Sequence, residues 1–388
     1  MNKPTCLAAS LVLTAFASAG TSVIWNGLPF IAKQQFGFNE TNNLTLYFLI
    51  GLVYVFGAMS AGKWTKGVEK HCSPRKLLAL LLLLQTAVCL MPLFFLGEWT
   101  LWLAGVVLGL CSSWMWPIIE SFLVAGRHGR EMRRAIGWWN IVWMASVAGT
   151  MFAMAPLMEH HASMVIVALG AMFALAALVL YAFPATPTLH AVESSSKEVP
   201  PNYKHLLKGA RVLLPLSYII NGTLAPLLPF VMSNLAVDPF WQTPAVATWM
   251  IARVGVTAFL WHFGGWHGKW SVLWVAIFAM AIGFVCIFSA SSLWILFAGL
   301  IIFGGGMGIA YYAGLYYAMA VGRAEFDAAG THEALIGAGY TVGPTAGLLA
   351  ISFSNSGSTV TSTPLITIVS GLIIIAGILL WTIFRKAR

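Results

Sequence analysis

Charged residues are scarce in this chain. Of its 388 residues only 9% are Asp, Glu, Lys or Arg, whereas 59% are hydrophobic. A soluble domain carries roughly 25% charged residues because its surface faces water. So little charge cannot cover a water-facing surface of this size, and we expect lipid to be the solvent for most of the chain. The 17 Trp and 24 Phe residues agree, because aromatic side chains are enriched at membrane interfaces.

Motifs of metal, cofactor and ATP chemistry are also missing. The five cysteines have no CxxC spacing, and all but Cys72 lie in apolar runs, as expected of packing residues. His160 and His161 are adjacent, so they cannot share a helix face as metal ligands. The sequence has no Walker motif and no HExxH motif. We therefore expect no metal, no cofactor and no enzyme, and we assign the net charge of +9 to membrane topology rather than to nucleic-acid binding.

Long runs of apolar residues dominate the sequence. A membrane-spanning helix needs about 20 mostly apolar residues. The predicted spans are residues 7–32, 44–62, 77–96, 99–125, 136–157, 162–183, 210–233, 244–264, 270–289, 292–320, 334–353 and 363–384. These runs are too long for barrel strands and lack their alternation. The first run has no clear cleavage site, so it predicts a spanning helix rather than a signal peptide. The fold class is therefore an all-α membrane protein with twelve helices.

Basic residues concentrate in alternate loops. Of the 21 Lys and Arg residues, most belong to the second, fourth and sixth loops and to the C-terminal tail, whereas Lys33 lies on the other side. The positive-inside rule then places both termini in the cytoplasm, in an integral protein of the plasma or inner membrane.

The chain divides into two related halves. Residues 184–209 are rich in Pro and Ser, which predicts a flexible or amphipathic linker between bundles of six helices at 1–183 and 210–388. Matching dipeptides follow one order in both halves: Asn26-Gly27 and Asn221-Gly222, Gly62-Lys63 and Gly268-Lys269, Gly126-Arg127 and Gly322-Arg323, Ile136-Gly137 and Ile336-Gly337. They indicate two parallel repeats related by an axis along the membrane normal.

The chain resembles the major facilitator superfamily over nearly its whole length. Gly57, Gly62-Lys63 and the basic residues after them are similar to the family's signature between spans two and three, although the acidic residue is missing. The stretch from Gly339 to Gly347 is similar to the Gly-rich antiporter motif, which the family normally carries in span five. The resemblance implies alternating access around a site lined chiefly by spans 1, 4, 7 and 10.

Arg253 is the strongest candidate for a substrate-binding residue. It lies about ten residues into the eighth predicted span, where an Arg costs at least ~2.5–3.5 kcal/mol. Trp249 and Thr257 share its helix face. We favour a cation that binds an anionic group of the substrate; a structural Arg paired between helices is the alternative.

Glu120 is the only acidic residue within the predicted spans. A buried carboxyl that binds and releases protons would couple transport to a proton gradient. The alternative is a helix-end Glu paired with Arg127, Arg130 or Arg134.

Further substrate-binding candidates are polar or aromatic residues at mid-span. Asn26 and Asn221 occupy matching places in the two halves, and Asn140 lies in the fifth span; a buried Asn needs partners for its donors and its acceptor. Tyr312 and Tyr316 share a face of the tenth span, and Trp249 precedes Arg253 by one turn. Rings with a polar tip suit an amphipathic ligand, and they equally suit a membrane interface.

These residues predict a monomeric secondary transporter of a small organic solute. An anionic substrate and proton coupling are hypotheses within that class. Efflux of hydrophobic compounds is the alternative mode of transport. A membrane-embedded enzyme and a non-transporting receptor are the alternatives from other classes.

Overall fold

The computed structural model describes residues 5–68, 71–95, 97–127, 129–188, 200–321, 326–353 and 362–387. Within these ranges the chain forms twelve long helices and no strand. The helices are α1 (Leu7–Phe36), α2 (Glu40–Val68), α3 (Pro74–Cys89), α4 (Glu98–Val124), α5 (Gly129–Ala153), α6 (Ala162–Val179), α7 (Pro201–Asn234), α8 (Pro239–His262), α9 (Trp270–Phe288), α10 (Leu293–Val321), α11 (Phe326–Ser352) and α12 (Ser362–Ala387). A short helix, Ala155–His160, connects α5 to α6.

The predicted all-α fold of twelve helices is confirmed. In the described part of the chain, eleven helices are long and apolar enough to cross a membrane. The twelfth, α5, carries Arg130, Glu131, Arg133 and Arg134 in its first two turns, which lowers its average hydropathy. It nevertheless packs between α1 and α8 like the other members of the bundle.

Two boundaries differ from the prediction. α7 already begins at Pro201, so residues 201–209 of the predicted flexible or amphipathic linker are helical. Pro is well tolerated in a first helical turn because its missing N–H would have no partner there. α11 begins before the predicted span 334–353, and this difference matters for the site. Residues 189–199 of the predicted linker lie outside the described residues.

The helix contacts repeat between the two halves. α1 packs against α5 and α6, and α7 packs in the same way against α11 and α12. The pairs α2–α4 and α3–α4 correspond to α8–α10 and α9–α10. Contacts between the halves are made chiefly by α2 with α11 and by α5 with α8. The fold is thus a pair of six-helix bundles with a shared interface.

Glycines allow α11 to approach helices of both halves. A Cβ on Gly343 would lie 2.3 Å from the carbonyl oxygen of Ile219 in α7. Across the interface, a Cβ on Gly51 of α2 would lie 2.4 Å from the carbonyl oxygen of Tyr340 in α11. Both distances are shorter than a non-bonded carbon and oxygen can approach, so neither position has room for a side chain. These glycines therefore set the separation of the helix backbones. The Gly-rich stretch of α11 therefore has a packing role.

The halves also meet near each end of the helices. We call the end at which α1 begins and α12 finishes the terminal end, and the opposite one the far end. At the far end, Lys33 Nζ donates to the carbonyl of Pro229 at 2.8 Å and to the Ser233 hydroxyl. At the terminal end, a Cβ on Gly137 of α5 would clash with the Trp261 indole of α8. Between these contacts lies a cavity.

Candidate substrate site

The cavity lies between the two halves. Its volume of about 90 Å³ is well above the roughly 10–15 Å³ that one water needs on the same measure, so it has room for several waters or a small organic group. The lining residues are Ser18, Thr21, Ser22, Trp25, Asn26, Tyr54, Trp116, Glu120, Trp139, Trp143, Val147, Tyr218, Trp249, Met250, Arg253, Tyr311, Glu333, Ile336 and Tyr340. Both halves contribute, and most of the large side chains are aromatic. Such a cavity suits a ligand with an apolar body and few polar groups.

Arg253 is held in a cage of three aromatic rings. The guanidinium carbon lies 4.7 Å from the Trp143 ring centroid, 4.6 Å from that of Tyr311 and 5.8 Å from that of Tyr218. Nη2 also donates to the Tyr218 hydroxyl at 3.1 Å. Trp143 comes from α5 and the tyrosines from α7 and α10, so the cage contains residues of both halves. Cation–π attraction to these rings partly compensates the buried charge.

No carboxylate neutralises this guanidinium in the described part of the chain. Arg253 is 1% exposed, and no acidic oxygen of the described residues lies within 4.0 Å of its nitrogens. Its Nε has no hydrogen-bond partner, and Nη1 donates only a weak hydrogen bond to the Met307 sulfur at 3.9 Å. An unpaired guanidinium on a cavity wall offers donors to an incoming anion.

Two carboxyl groups line the same cavity. Glu120 projects from α4 and Glu333 from α11. Glu333 accepts a hydrogen bond from the Tyr54 hydroxyl of α2, which belongs to the other half of the protein. Arg127, one of the predicted partners of Glu120, instead bonds Glu131 at 3.6 Å and the carbonyls of Thr5 and Leu123. Glu120 is thus a cavity residue rather than a helix-end partner of Arg127.

Sequence reasoning missed Glu333. The predicted eleventh span starts at residue 334, one residue after it, because the run of apolar residues starts there. The helix itself begins at Phe326 and carries the carboxyl into the cavity wall. A detectable signal existed, since Glu333 directly precedes the apolar run.

Asn26 and Asn221 take different positions. Asn26 lines the cavity from a π-helical turn of α1, Val23–Gly27, a feature that is frequent at functional sites. Asn221 lies behind the wall, where its Nδ2 donates to the Tyr340 hydroxyl at 2.9 Å. Tyr340 in turn stacks on Trp25 of α1, with 4.0 Å between ring centroids. Asn221 therefore positions an aromatic pair that connects the halves.

Three other candidates, Asn140, Tyr312 and Tyr316, are not among the described residues that line the cavity. Asn140 is fully buried; it donates to the Ile136 carbonyl and accepts from the Trp143 indole at 3.2 Å, so it orients one ring of the cage. Tyr312 packs near Trp266, and Tyr316 stacks on His267 with 4.3 Å between centroids. Burial lowers the pKa of His267, which lies between α8 and α9 outside the spanning segments. Both tyrosines face the terminal end of their own half.

Close packing of α8 on α10 brings Trp249 and Arg253 to the cavity. A Cβ on Gly304 would lie 2.0 Å from the Trp249 carbonyl oxygen, and one on Gly308 would lie 3.2 Å from that of Arg253. Both glycines belong to α10 and lie one turn apart, so α8 lies directly against the α10 backbone. The glycine run of α10 thus fixes the depth of the arginine.

A polytopic helical protein with a polar cavity between two six-helix halves has the architecture of a membrane transporter. A sequence model of the Major Facilitator Superfamily matches residues 10–331. The chain therefore belongs to this superfamily, whose members are transporters rather than enzymes. No curated protein sequence is similar enough to count as a relative.

Solved structures share the fold at low sequence identity. The nucleoside transporter NupG is 12% identical, with a TM-score of 0.68 over 98% of this chain and 99% of that one. A bacterial homologue of the human lysosomal transporter Spinster is 13% identical, with a TM-score of 0.70 over 98% and 97%. The human organic anion transporter MFSD10 is 13% identical, with a TM-score of 0.65 over 96% and 97%.

Proposed function

We propose that the protein is a secondary transporter of a small organic anion, which binds at Arg253 and moves by alternating access. The observation that carries this proposal is the buried guanidinium without a carboxylate partner among the described residues. A substrate carboxylate supplies the missing charge and accepts from the free Nε and from the Nη groups. The aromatic cage holds the guanidinium in place before the anion arrives.

Binding at Arg253 involves both halves. Trp143 belongs to the first half, whereas Arg253, Tyr218 and Tyr311 belong to the second. An anion at this site changes the balance of forces at the interface, because it neutralises a cation that an opposing ring helps to hold. A ligand shifts a conformational equilibrium only through such differential contacts.

Glu120 is proposed as the group that couples transport to protons. It lines the same cavity as Arg253, and no protein group of the described residues hydrogen-bonds it. A proton on Glu120 and an anion on Arg253 add opposite charges, so binding both leaves the net charge of the cavity unchanged. Paired uptake of both lowers the cost of moving the cavity from one side of the membrane to the other.

The proposed setting is the plasma membrane, with both termini in the cytoplasm. The basic loops support this orientation because alternation of the helices places them at the terminal end. A monomer is the proposed working unit, since one chain supplies both walls of the cavity.

The test is a thermal-shift screen of purified protein against matched pairs of aromatic and aliphatic carboxylates and their neutral amides. Ligands that bind the folded state raise its stability. We expect some carboxylates, but not their amides, to raise the Tm of the wild type and to leave that of Arg253→Ala unchanged. Identical shifts in both proteins, or shifts by the amides alone, would refute the anion site.

A further inference from the structure

The strongest unassigned feature is the hydrogen bond between Tyr54 and Glu333. The Tyr54 hydroxyl of α2 donates to Glu333 Oε2 of α11, so the bond connects one half of the protein to the other. Glu333 is 5% exposed and Tyr54 is 3% exposed. The bond lies in the principal contact between the halves, where glycines bring the α2 and α11 backbones together.

No cation compensates Glu333 in the described part of the chain. The two ion pairs there, Arg127–Glu131 and Glu159–His160, lie elsewhere. A buried carboxylate with one neutral donor is poorly compensated, and uptake of a proton removes the charge. The side chain also reaches the cavity, from which a proton can arrive.

The surroundings of Glu333 contain few other groups that could respond to pH. Those that face it from the packed helices are Tyr54 of α2, Glu120 of α4, Tyr218 of α7, Tyr311 of α10 and Tyr340 of α11. His332 directly precedes Glu333 in α11 and packs on Tyr311, with 5.4 Å between ring centroids. Arg253 of α8 lines the same cavity, and the basic residues of α12 lie in its last turn. Tyrosines do not change charge between neutral and mildly acidic pH. The groups of this set that can change charge in that range are therefore the two carboxyls and the His332 imidazole, and replacing Glu333 alone separates its response from that of His332.

We propose that Glu333 is a second proton-binding site, and that its protonation weakens the Tyr54 bond and favours separation of the halves at the terminal end. A hydrogen bond to a carboxylate is about twice as strong as one between neutral groups, so a proton on Glu333 removes much of the attraction. Glu333 lies in the first part of α11, on the terminal side of its middle. The inference rests on the proposed transport by movement of the halves, but it requires no particular substrate.

The experiment measures the distance between spin labels on ligand-free protein by double electron–electron resonance. Labels on Arg130→Cys of α5 and Lys204→Cys of α7, both exposed at the terminal end, report the separation of the halves, with the five native cysteines replaced. In the wild type we expect longer distances to gain population from neutral to mildly acidic pH. Glu333→Gln should show the acidic distribution at both pH values.

Tyr54→Phe provides a second route to the same result, because it removes the donor and leaves the carboxyl in place. It should also shift the distances toward the acidic distribution at neutral pH. Glu98→Gln, an exposed carboxyl at the start of α4, is the matched control and should behave as the wild type does.

Two results would overturn the proposal. One is a wild type whose distances are the same at both pH values. The other is a response to pH that survives in Glu333→Gln at full size. The anion site is judged separately, because Arg253→Ala should keep the pH response while losing carboxylate binding.

Discussion

Arg253 combines two properties that soluble proteins seldom combine. It is buried, and no carboxylate of the described residues pairs with it. Its charge is partly compensated by the faces of Trp143 and Tyr311 and by the Tyr218 hydroxyl. These groups contact the guanidinium but leave its Nε without a hydrogen-bond partner. The residue is thus held firmly while part of its hydrogen-bonding capacity is free.

Arg253→Lys tests the geometry of this site. Lys keeps the charge but loses the planar fork, and we expect the carboxylates found by the thermal-shift screen to bind about 10- to 100-fold more weakly, or about 1.5–3 kcal/mol. The Tm without ligand should stay near that of the wild type. Titration calorimetry measures the affinity, and Arg134→Lys, an exposed position, is the control. Equal affinity in the Lys variant would show that charge alone is recognised.

Glu120→Gln tests proton coupling. The amide has the shape of the carboxyl but takes up no proton in this range, so flux driven by a pH gradient should be lost while exchange of labelled for unlabelled ligand continues. Proteoliposomes with a radiolabelled carboxylate from the screen allow both measurements. Glu98→Gln on the same helix should transport normally. Gradient-driven flux at the wild-type rate would remove Glu120 from the coupling mechanism.

At the scale of single helices, the position of α8 depends on the glycines of α10. Gly304→Ala would place a methyl group 2.0 Å from the Trp249 carbonyl and push α8 away. Overpacking typically costs about 1–3 kcal/mol, so we expect a lower Tm together with weaker carboxylate binding at Arg253.

Gly305→Ala is the matched control, because its nearest contact would be 3.6 Å away. It should be neutral or slightly stabilising, since Ala restricts the unfolded chain more than Gly does. A Tm of Gly304→Ala equal to that of Gly305→Ala would show that the helices separate without cost.

Helix rotation explains why part of the site was not predictable. Successive residues of a helix differ by about 100° around its axis, and a nearly uniformly apolar helix gives no sign of which face meets the cavity. In α10 the cavity contains Tyr311, whereas Tyr312 and Tyr316 turn toward Trp266 and His267. The position of Arg253 could be predicted without this information, because a charged residue within an apolar span almost always faces the interior of the bundle or a cavity.

For the molecule as a whole, the helix count followed from the apolar runs, and the division into halves was predicted from the Pro- and Ser-rich segment and the matching dipeptides. The apolar runs did not show where α11 begins, because that helix begins with a polar segment. Glu333 was lost for this reason. The contacts between the halves were equally out of reach, since Gly51, Gly337 and Tyr54 have no local pattern that identifies their partners.

The orientation of the molecule remains a prediction with a direct test. A single cysteine at Lys204 marks the terminal end, and one at Ser291, in the loop after α9, marks the far end. With cytoplasmic termini, a membrane-impermeant maleimide added to intact cells should label Ser291→Cys and leave Lys204→Cys unlabelled until the cells are opened. The reverse pattern would invert the topology.

The glycines between α2 and α11 have a kinetic consequence. At Gly51 backbone meets backbone, and no side chain has to change rotamer there when the halves shift, whereas at Gly337 the side chains of Tyr54 and Val55 lie 2.9–3.0 Å from the position of a Cβ. The activation barrier for the movement therefore includes the release of these side chains as well as the polar contacts of Lys33 and Glu333. Turnover of such a protein responds both to the chemistry of the polar groups and to the size of the side chains that α2 presents to α11.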